Sequence, residues 1–184
     1  ARAQKAAAAL AREGMQVIVV GEAGHPEVEG LYASACEASA DPALVSVVAV
    51  PDDLPERIEA PVGVVVQTTQ TRAALDAVLD ALRERGVEPT VKDTICFATR
   101  QRQEAAAALA DEADAFVVIG GRNSSNTTRL AEVCALTCPR TFHIESTDEL
   151  DPAAFAGCRR VGVTAGASTP ENQIAAVEAF LRTL

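Results

Sequence analysis

Three short stretches of the chain gather the side chains that acid, thiol and anion chemistry require. In "GEAGHPEVEG", His25 and Glu27 lie two residues apart in a loop shaped by Gly24 and Pro26. Histidine titrates near neutrality and a partly desolvated carboxylate can be raised toward it, so the pair suits proton delivery. The same stretch also reads as an ordinary turn with solvated side chains. In "DTICFATRQRQ", Cys96 is followed by Arg100 and Arg102. Positive charge nearby favours a thiolate that serves as nucleophile or metal ligand, whereas a lone cysteine otherwise behaves as a small buried hydrophobe.

The third stretch is "VVIGGRNSSNTTRL", in which two glycines lead into Asn123, Ser124, Ser125, Asn126, Thr127 and Thr128 at an expected helix N-terminus. Exposed N–H groups, a favourable helix dipole and hydroxyl donors converge there, which is the make-up of an anion site. Each charge-assisted hydrogen bond contributes about 1.5–3 kcal/mol, so several together hold a phosphate group. "GASTP" repeats the arrangement with Ser168 and Thr169. The lysine of a P-loop is missing, so nucleoside triphosphate hydrolysis is not expected. In "QTTQT", Thr68 and Thr69 read either as a helix N-cap or as hydroxyl contacts to a ligand.

The remaining candidates carry less. Cys134 and Cys138 are spaced i, i+4 on the apolar pattern "LAEVCALTC" and read as core cysteines ahead of metal ligands. Cys36 and Cys158 carry no signal, and His143 lies on an expected strand as an unconvincing ligand.

These residues depend on a repeating frame of strand, polar loop and helix. Strands are expected at Gln16–Val20, Leu44–Val50, Val62–Val66, Ala115–Ile119 and Arg160–Thr164. "PDDLPERIEAP" separates the second from the third. Helices are expected at Arg2–Arg12, Arg72–Glu84, Arg102–Ala110 and Thr128–Leu136, with a last one that has Pro170 in its first turn. Strands alternating with helices imply an α/β fold with parallel sheets, here two tandem small α/β domains over residues 1–88 and 89–184 with a boundary near Glu88. Ligands of such sheets gather beyond the C-terminal ends of the strands, where every polar cluster above lies.

Composition narrows the classes. With 48% hydrophobic residues but 3% aromatics, the core of this 184-residue chain is built from Ala, Val, Leu and Ile. A net charge of -10 argues against nucleic acid and anionic membrane surfaces as partners. Five irregularly spaced cysteines fit a reducing cytoplasm better than a disulfide scaffold. No apolar run is long enough to span a bilayer. The sequence opens inside a helical pattern on Ala1, so the natural polypeptide is expected to start further upstream.

Taken in order, "GHPEVEG", "QTTQT", "DTICFATRQRQ", "IGGRNSSNT" and "GVTAGASTP" resemble the IspH/LytB family, the 4-hydroxy-3-methylbut-2-enyl diphosphate reductases of the non-mevalonate isoprenoid pathway. The resemblance implies a trefoil-like arrangement of three α/β domains, of which this chain is similar to the second and third. It implies reductive dehydroxylation of an allylic diphosphate to isopentenyl and dimethylallyl diphosphate at a 4Fe-4S cluster, with ferredoxin or flavodoxin as electron donor. By the same resemblance, Cys96 is one of three cysteine ligands and Glu27 the proton donor. His25 is a diphosphate ligand, one of Thr68 and Thr69 contacts the substrate hydroxyl, and Ser124, Ser125, Asn126 and Ser168 cradle the diphosphate. Family members carry two further cluster cysteines and further histidines in an earlier domain. The 184 residues alone are therefore expected to be inactive unless that N-terminal domain or a partner chain completes the site. The competing expectation is a non-catalytic diphosphate-binding module or partner subunit.

Overall fold

A computed structural model describes residues 2–58 and 61–184. Residues 59 and 60, part of the expected "PDDLPERIEAP" connector, lie outside the described residues, as does Ala1. The chain divides into two compact units, Ala1–Cys96 and Phe97–Leu184.

In the first unit, helix α1 (Arg2–Arg12) leads to strand β1 (Gln16–Val20), helix α2 (Pro26–Ala38) and strand β2 (Val45–Val48). Strand β3 (Val62–Val66), helix α3 (Arg72–Glu84) and strand β4 (Thr90–Lys92) follow. The four strands form one sheet in the order β2-β1-β3-β4. All pairs are parallel, with Val17 opposite both Val45 and Gly63. The two central strands are buried along their whole length, which is why they read as valine and isoleucine runs, broken by Gln16 at the start of β1 and Gly63 in β3. Alternate side chains feed opposite layers. Ile18, Val20, Val64 and Val66 pack with Leu75, Val78, Leu79 and Leu82 of α3, while Val17, Val19 and Val65 pack with the alanine-rich face of α1 and with Val28 and Leu31 of α2. Each fully buried valine or leucine contributes about 1.5–3 kcal/mol, so the sheet is a rigid platform for the loops at its end.

In the second unit, helix α4 (Phe97–Asp111) precedes strand β5 (Ala115–Ile119), helix α5 (Ser125–Thr137), strand β6 (Thr141–Ile144), strand β7 (Val161–Ala165) and helix α6 (Glu171–Leu181). The sheet order is β6-β5-β7, again parallel. Phe116 and Val118 face α4 and α5 through Ala106, Ala110, Leu130 and Cys134. Ala115, Val117 and Ile119 face Phe155 and Val177 on the other side.

Both sheets are parallel, as the alternating pattern implied, but several element bounds differ from expectation. The second strand is confined to Val45–Val48, because Asp41 caps a turn at Pro42–Leu44 and the Asp53 carboxylate takes the N–H groups of Ala49 and Val50. Helix α4 begins at Phe97 instead of Arg102, with Thr99 and Gln103 on its buried side, and α5 begins at Ser125 instead of Thr128. The division between units falls after Cys96 instead of near Glu88, since β4 pairs with β3 and the Cys96 N–H is bound to the Thr68 carbonyl. No helix among the described residues is long and apolar enough to cross a membrane.

Candidate functional site

In each unit the central strand is flanked on one side by the next strand in sequence and on the other by a later one. The chain therefore reverses direction beside β1 in the first sheet and beside β5 in the second. The crevice at such a switch, beyond the strand ends, is where open parallel sheets bind ligands. In the first unit it lies between the loops after β1 and β3, and in the second between the loops after β5 and β7.

The first crevice is built around a carboxylate. His25 caps α2 in an extended conformation, and its Nδ1 accepts the Glu27 N–H at 3.1 Å, which leaves the ring hydrogen on Nε2. Pro26 occupies the first turn, where its missing N–H costs nothing. Glu27 is thus fixed in the first turn of a helix, near the positive end of its dipole, not in a loop as the sequence suggested. Its carboxylate is held by a single residue across the crevice: the Thr68 N–H donates to Oε1 at 3.0 Å and the Thr68 hydroxyl to Oε2 at 2.9 Å. The Thr68 carbonyl in turn accepts the Cys96 N–H at 2.9 Å. Acid and thiol-bearing residue are therefore joined through the one residue Thr68, its N–H and hydroxyl on Glu27 and its carbonyl on the Cys96 N–H, with Cys96 itself exposed.

Neither Thr68 nor Thr69 caps the following helix; Thr71 does, accepting the Ala74 N–H. Of the two threonines, Thr68 engages the acid, while Thr69 accepts from Gln67 Nε2 at 3.1 Å. Gln67 was not singled out in the sequence, yet it is 1% exposed and its Oε1 accepts the Glu22 N–H at 3.0 Å. It ties the loop after β1 to the loop after β3. Gly21 leaves the room for it: a Cβ there would meet Val28 Cγ2 at 2.6 Å and Gln67 Oε1 at 2.9 Å.

The second crevice is a capped helix N-terminus. Ser124 is the N-cap of α5, and its Oγ takes the Thr127 N–H at 3.4 Å and the Thr127 hydroxyl at 3.1 Å. Ser125 and Asn126 form the first turn and are half-buried. After β7, Ser168 is exposed, whereas Thr169 turns inward and donates to the Ile119 carbonyl at 2.9 Å. The inward residues Thr127 and Thr169, which line the junction of the two loops, belong to the polar clusters read from the sequence but were given no ligand role there. On the β6 side, Arg122 donates to the His143 carbonyl at 3.2 Å and forms an ion pair with Glu149. That pairing lowers the Glu149 carboxyl below its ordinary range.

The other cysteines stay out of both crevices. Cys134 and Cys138 are buried against β5, and desolvation together with Cys138 raises the Cys134 thiol to about 11. A thiol so buried stays protonated at neutral pH and packs as a small hydrophobe. Cys36 lies on α2, and Cys158 is half-buried beside Arg140. Among the described residues no group of three or more His, Cys, Asp or Glu side chains is placed to hold a metal ion. The described residues therefore do not by themselves form the ligand set of an iron–sulfur cluster.

Comparison with known proteins places these features in context. The family model described as LytB protein matches residues 1–182. The 4-hydroxy-3-methylbut-2-enyl diphosphate reductase of Geotalea uraniireducens is 48% identical over 175 residues, covering 92% of this chain and 58% of that protein. The reductase of the same name from Anaeromyxobacter sp. (strain K) is 43% identical over 181 residues, covering 98% and 63%. Among solved structures, an (E)-4-hydroxy-3-methyl-but-2-enyl diphosphate reductase, called the terminal enzyme of the non-mevalonate pathway, is 38% identical, with a TM-score of 0.55 and coverage of 100% of this chain and 64% of that one. The E-1-hydroxy-2-methyl-but-2-enyl-4-diphosphate reductase from Plasmodium falciparum, at 23% identity, shares the fold with a TM-score of 0.84 and coverage of 100% and 56%. The chain spans about 58% of the length of the first relative.

Proposed function

The chain belongs to the LytB family, and on that premise we propose that it forms part of a reductase that removes the allylic hydroxyl of 4-hydroxy-3-methylbut-2-enyl diphosphate. The observation that carries the proposal is Thr68, which grips Glu27 with two hydrogen bonds and takes the Cys96 N–H on its carbonyl.

In this reading Glu27 is the acid and Thr68 Oγ1 the relay. With Glu27 protonated, its proton moves across the 2.9 Å separation to Thr68 Oγ1 as the threonine proton passes to the departing hydroxyl oxygen, which leaves as water. The first-turn position of Glu27 and the Thr68 N–H on Oε1 keep the carboxyl in place throughout, while the Oε2–Oγ1 hydrogen bond reverses: protonated Glu27 donates to Oγ1 before transfer and the Thr68 hydroxyl donates to Oε2 after it. The net reduction consumes two electrons and two protons: one proton leaves with the hydroxyl as water, the second, drawn from solvent, forms the new C–H bond at an allylic carbon, and a ferredoxin or flavodoxin donor is proposed for the electrons. Cys96 is proposed as one thiolate ligand of a 4Fe-4S cluster, the other protein ligands coming from outside these 184 residues; on its own the chain is then inactive.

In the second unit Ser124, Ser125, Asn126 and Ser168 are proposed as diphosphate contacts; in the first, His25 is proposed as a diphosphate ligand by family resemblance, its Nε2–H remaining a donor once Nδ1 has accepted the Glu27 N–H. Thr69 stands behind Thr68 as a support bound to Gln67. Anaerobic reconstitution with iron and sulfide, followed by turnover with reduced ferredoxin, tests this reading. The complete protein is expected to show cluster absorbance and water-forming reduction of the allylic diphosphate. Diphosphate binding without a cluster or turnover would instead indicate a binding module or partner subunit.

A further inference from the structure

His143 is not a ligand in the reading above, but it touches the loop that is. Its Nε2 lies 3.0 Å from the Gly120 carbonyl oxygen, at the point where the chain leaves β5 for the Ser124 cap. A carbonyl only accepts, so the ring donates through Nε2–H, in the neutral tautomer and in the imidazolium alike.

We infer that His143 is a positioning residue for the anion loop, one that holds the Gly120–Gly121 peptide with its N–H facing the crevice between β5 and β7. This rests on the diphosphate reading of that crevice. Gly120 continues the β5–β6 ladder by donating its N–H to the Ile144 carbonyl at 2.9 Å, and its own carbonyl also faces β6, where His143 takes it. The described peptides contain no cis bond, so the Gly121 N–H points opposite to that carbonyl. Opposite to β6 lies the β7 side of β5, where Gly166 N–H and the Thr169 hydroxyl both meet the Ile119 carbonyl.

The pin is needed because the peptide joins two glycines, which rotate at little steric cost. Gly120 sits at φ +145°, and a Cβ there would meet Thr169 Oγ1 at 2.9 Å and Thr127 Cγ2 at 3.0 Å. No side chain at this position can therefore fix the peptide; an outside donor has to. One residue further on, the Arg122 N–H returns to the β6 side, donating to Glu145 Oε1 at 2.7 Å. The Gly121 N–H is then presented to an anion beside the Ser124 cap, with its direction set from β6.

The test is binding of inorganic diphosphate to this chain by calorimetry, with His143→Phe, His143→Gln, Ser124→Ala and Asn126→Ala. His143→Phe is expected to weaken binding about tenfold and His143→Gln, which keeps a donor near the Nε2 position, to stay within about threefold of the parent. If Ser124→Ala and Asn126→Ala weaken binding but His143→Phe does not, the inference is wrong and the diphosphate reading stands. If the parent does not bind, or the Ser124 and Asn126 variants bind as the parent does, the diphosphate reading fails and the inference falls with it. Loss in His143→Phe without rescue in His143→Gln reduces His143 to packing and overturns the inference. Should His143→Phe not fold, as judged by circular dichroism, His143→Gln and the Gly121 amide resonance decide. A saturable diphosphate-induced shift of that amide in both parent and His143→Gln supports the inference, and no shift overturns it.

Discussion

Replacing Thr68 with valine removes one hydroxyl and keeps the shape of the side chain, so it isolates the Thr68–Glu27 contact. The Thr68 N–H still serves Glu27 Oε1, but Oε2 loses its 2.9 Å donor. A hydrogen bond to a charged acceptor contributes about 1.5–3 kcal/mol. Both residues are only half-buried, so solvent competes and about 1 kcal/mol is expected. The assay is a double-mutant cycle with Glu27→Ala in urea at neutral pH. The chain has one tyrosine, Tyr32 on α2, and no tryptophan, so intrinsic fluorescence reports unfolding of the first unit. Each single variant should lower the urea midpoint, and the pair should fall short of additivity by about 1 kcal/mol. Additivity within about 0.3 kcal/mol would mean that the Thr68 hydroxyl and Glu27 Oε2 are neighbours without an energetic bond.

Three further outcomes are expected. Gly21→Ala drives a methyl group to 2.6 Å from Val28 Cγ2 and 2.9 Å from Gln67 Oε1, and should cost about 1–3 kcal/mol in the same fluorescence assay; an unchanged urea midpoint would show that α2 shifts freely. The Asp114 carboxyl is held below its ordinary range by the N–H groups of Arg159 and Arg160, at 2.7 and 2.9 Å. A depressed carboxyl stabilises the fold above its unfolded value and loses that contribution as pH falls through the folded one. The melting temperature should thus decline below about pH 4, and less steeply in Asp114→Asn; parallel profiles would refute the assignment. Timed alkylation at pH 8 followed by mass spectrometry should label exposed Cys96 first and Cys134, raised to about 11 by burial, last, and the reverse order would contradict the burial described.

Strands β1, β3 and β5 were legible because they are buried on both faces and leave runs such as "QVIVV" and "AFVVI" that no amphipathic helix would contain, whereas the short, largely exposed edge strand β4 was not anticipated. Helix α2 was hidden, since Pro26 and Gly30 make "HPEVEG" look like a loop; the cap at His25 with proline after it was the signal that would have found it. The same error left Glu27 in a turn instead of on the first turn of a helix. The residue types of the acid, thiol and hydroxyl were readable, but their pairing was not. Thr68 meets Glu27 across 41 positions and His143 meets Gly120 across 23, and one sequence gives no sign of contacts that only the parallel strand order creates. Gln67 was overlooked for a related reason, because a polar residue in "QTTQT" looks solvated until the packing of α2 over Gly21 buries it.

The most direct measurement of the central claim is single-turnover reduction of the allylic diphosphate by the reconstituted, complete protein carrying Glu27→Gln. The Glu27–Thr68 relay predicts substrate binding close to that of the parent and loss of product formation, with Thr68→Val impaired in the same step. Parent-like turnover in Glu27→Gln would contradict the account and place the proton source elsewhere.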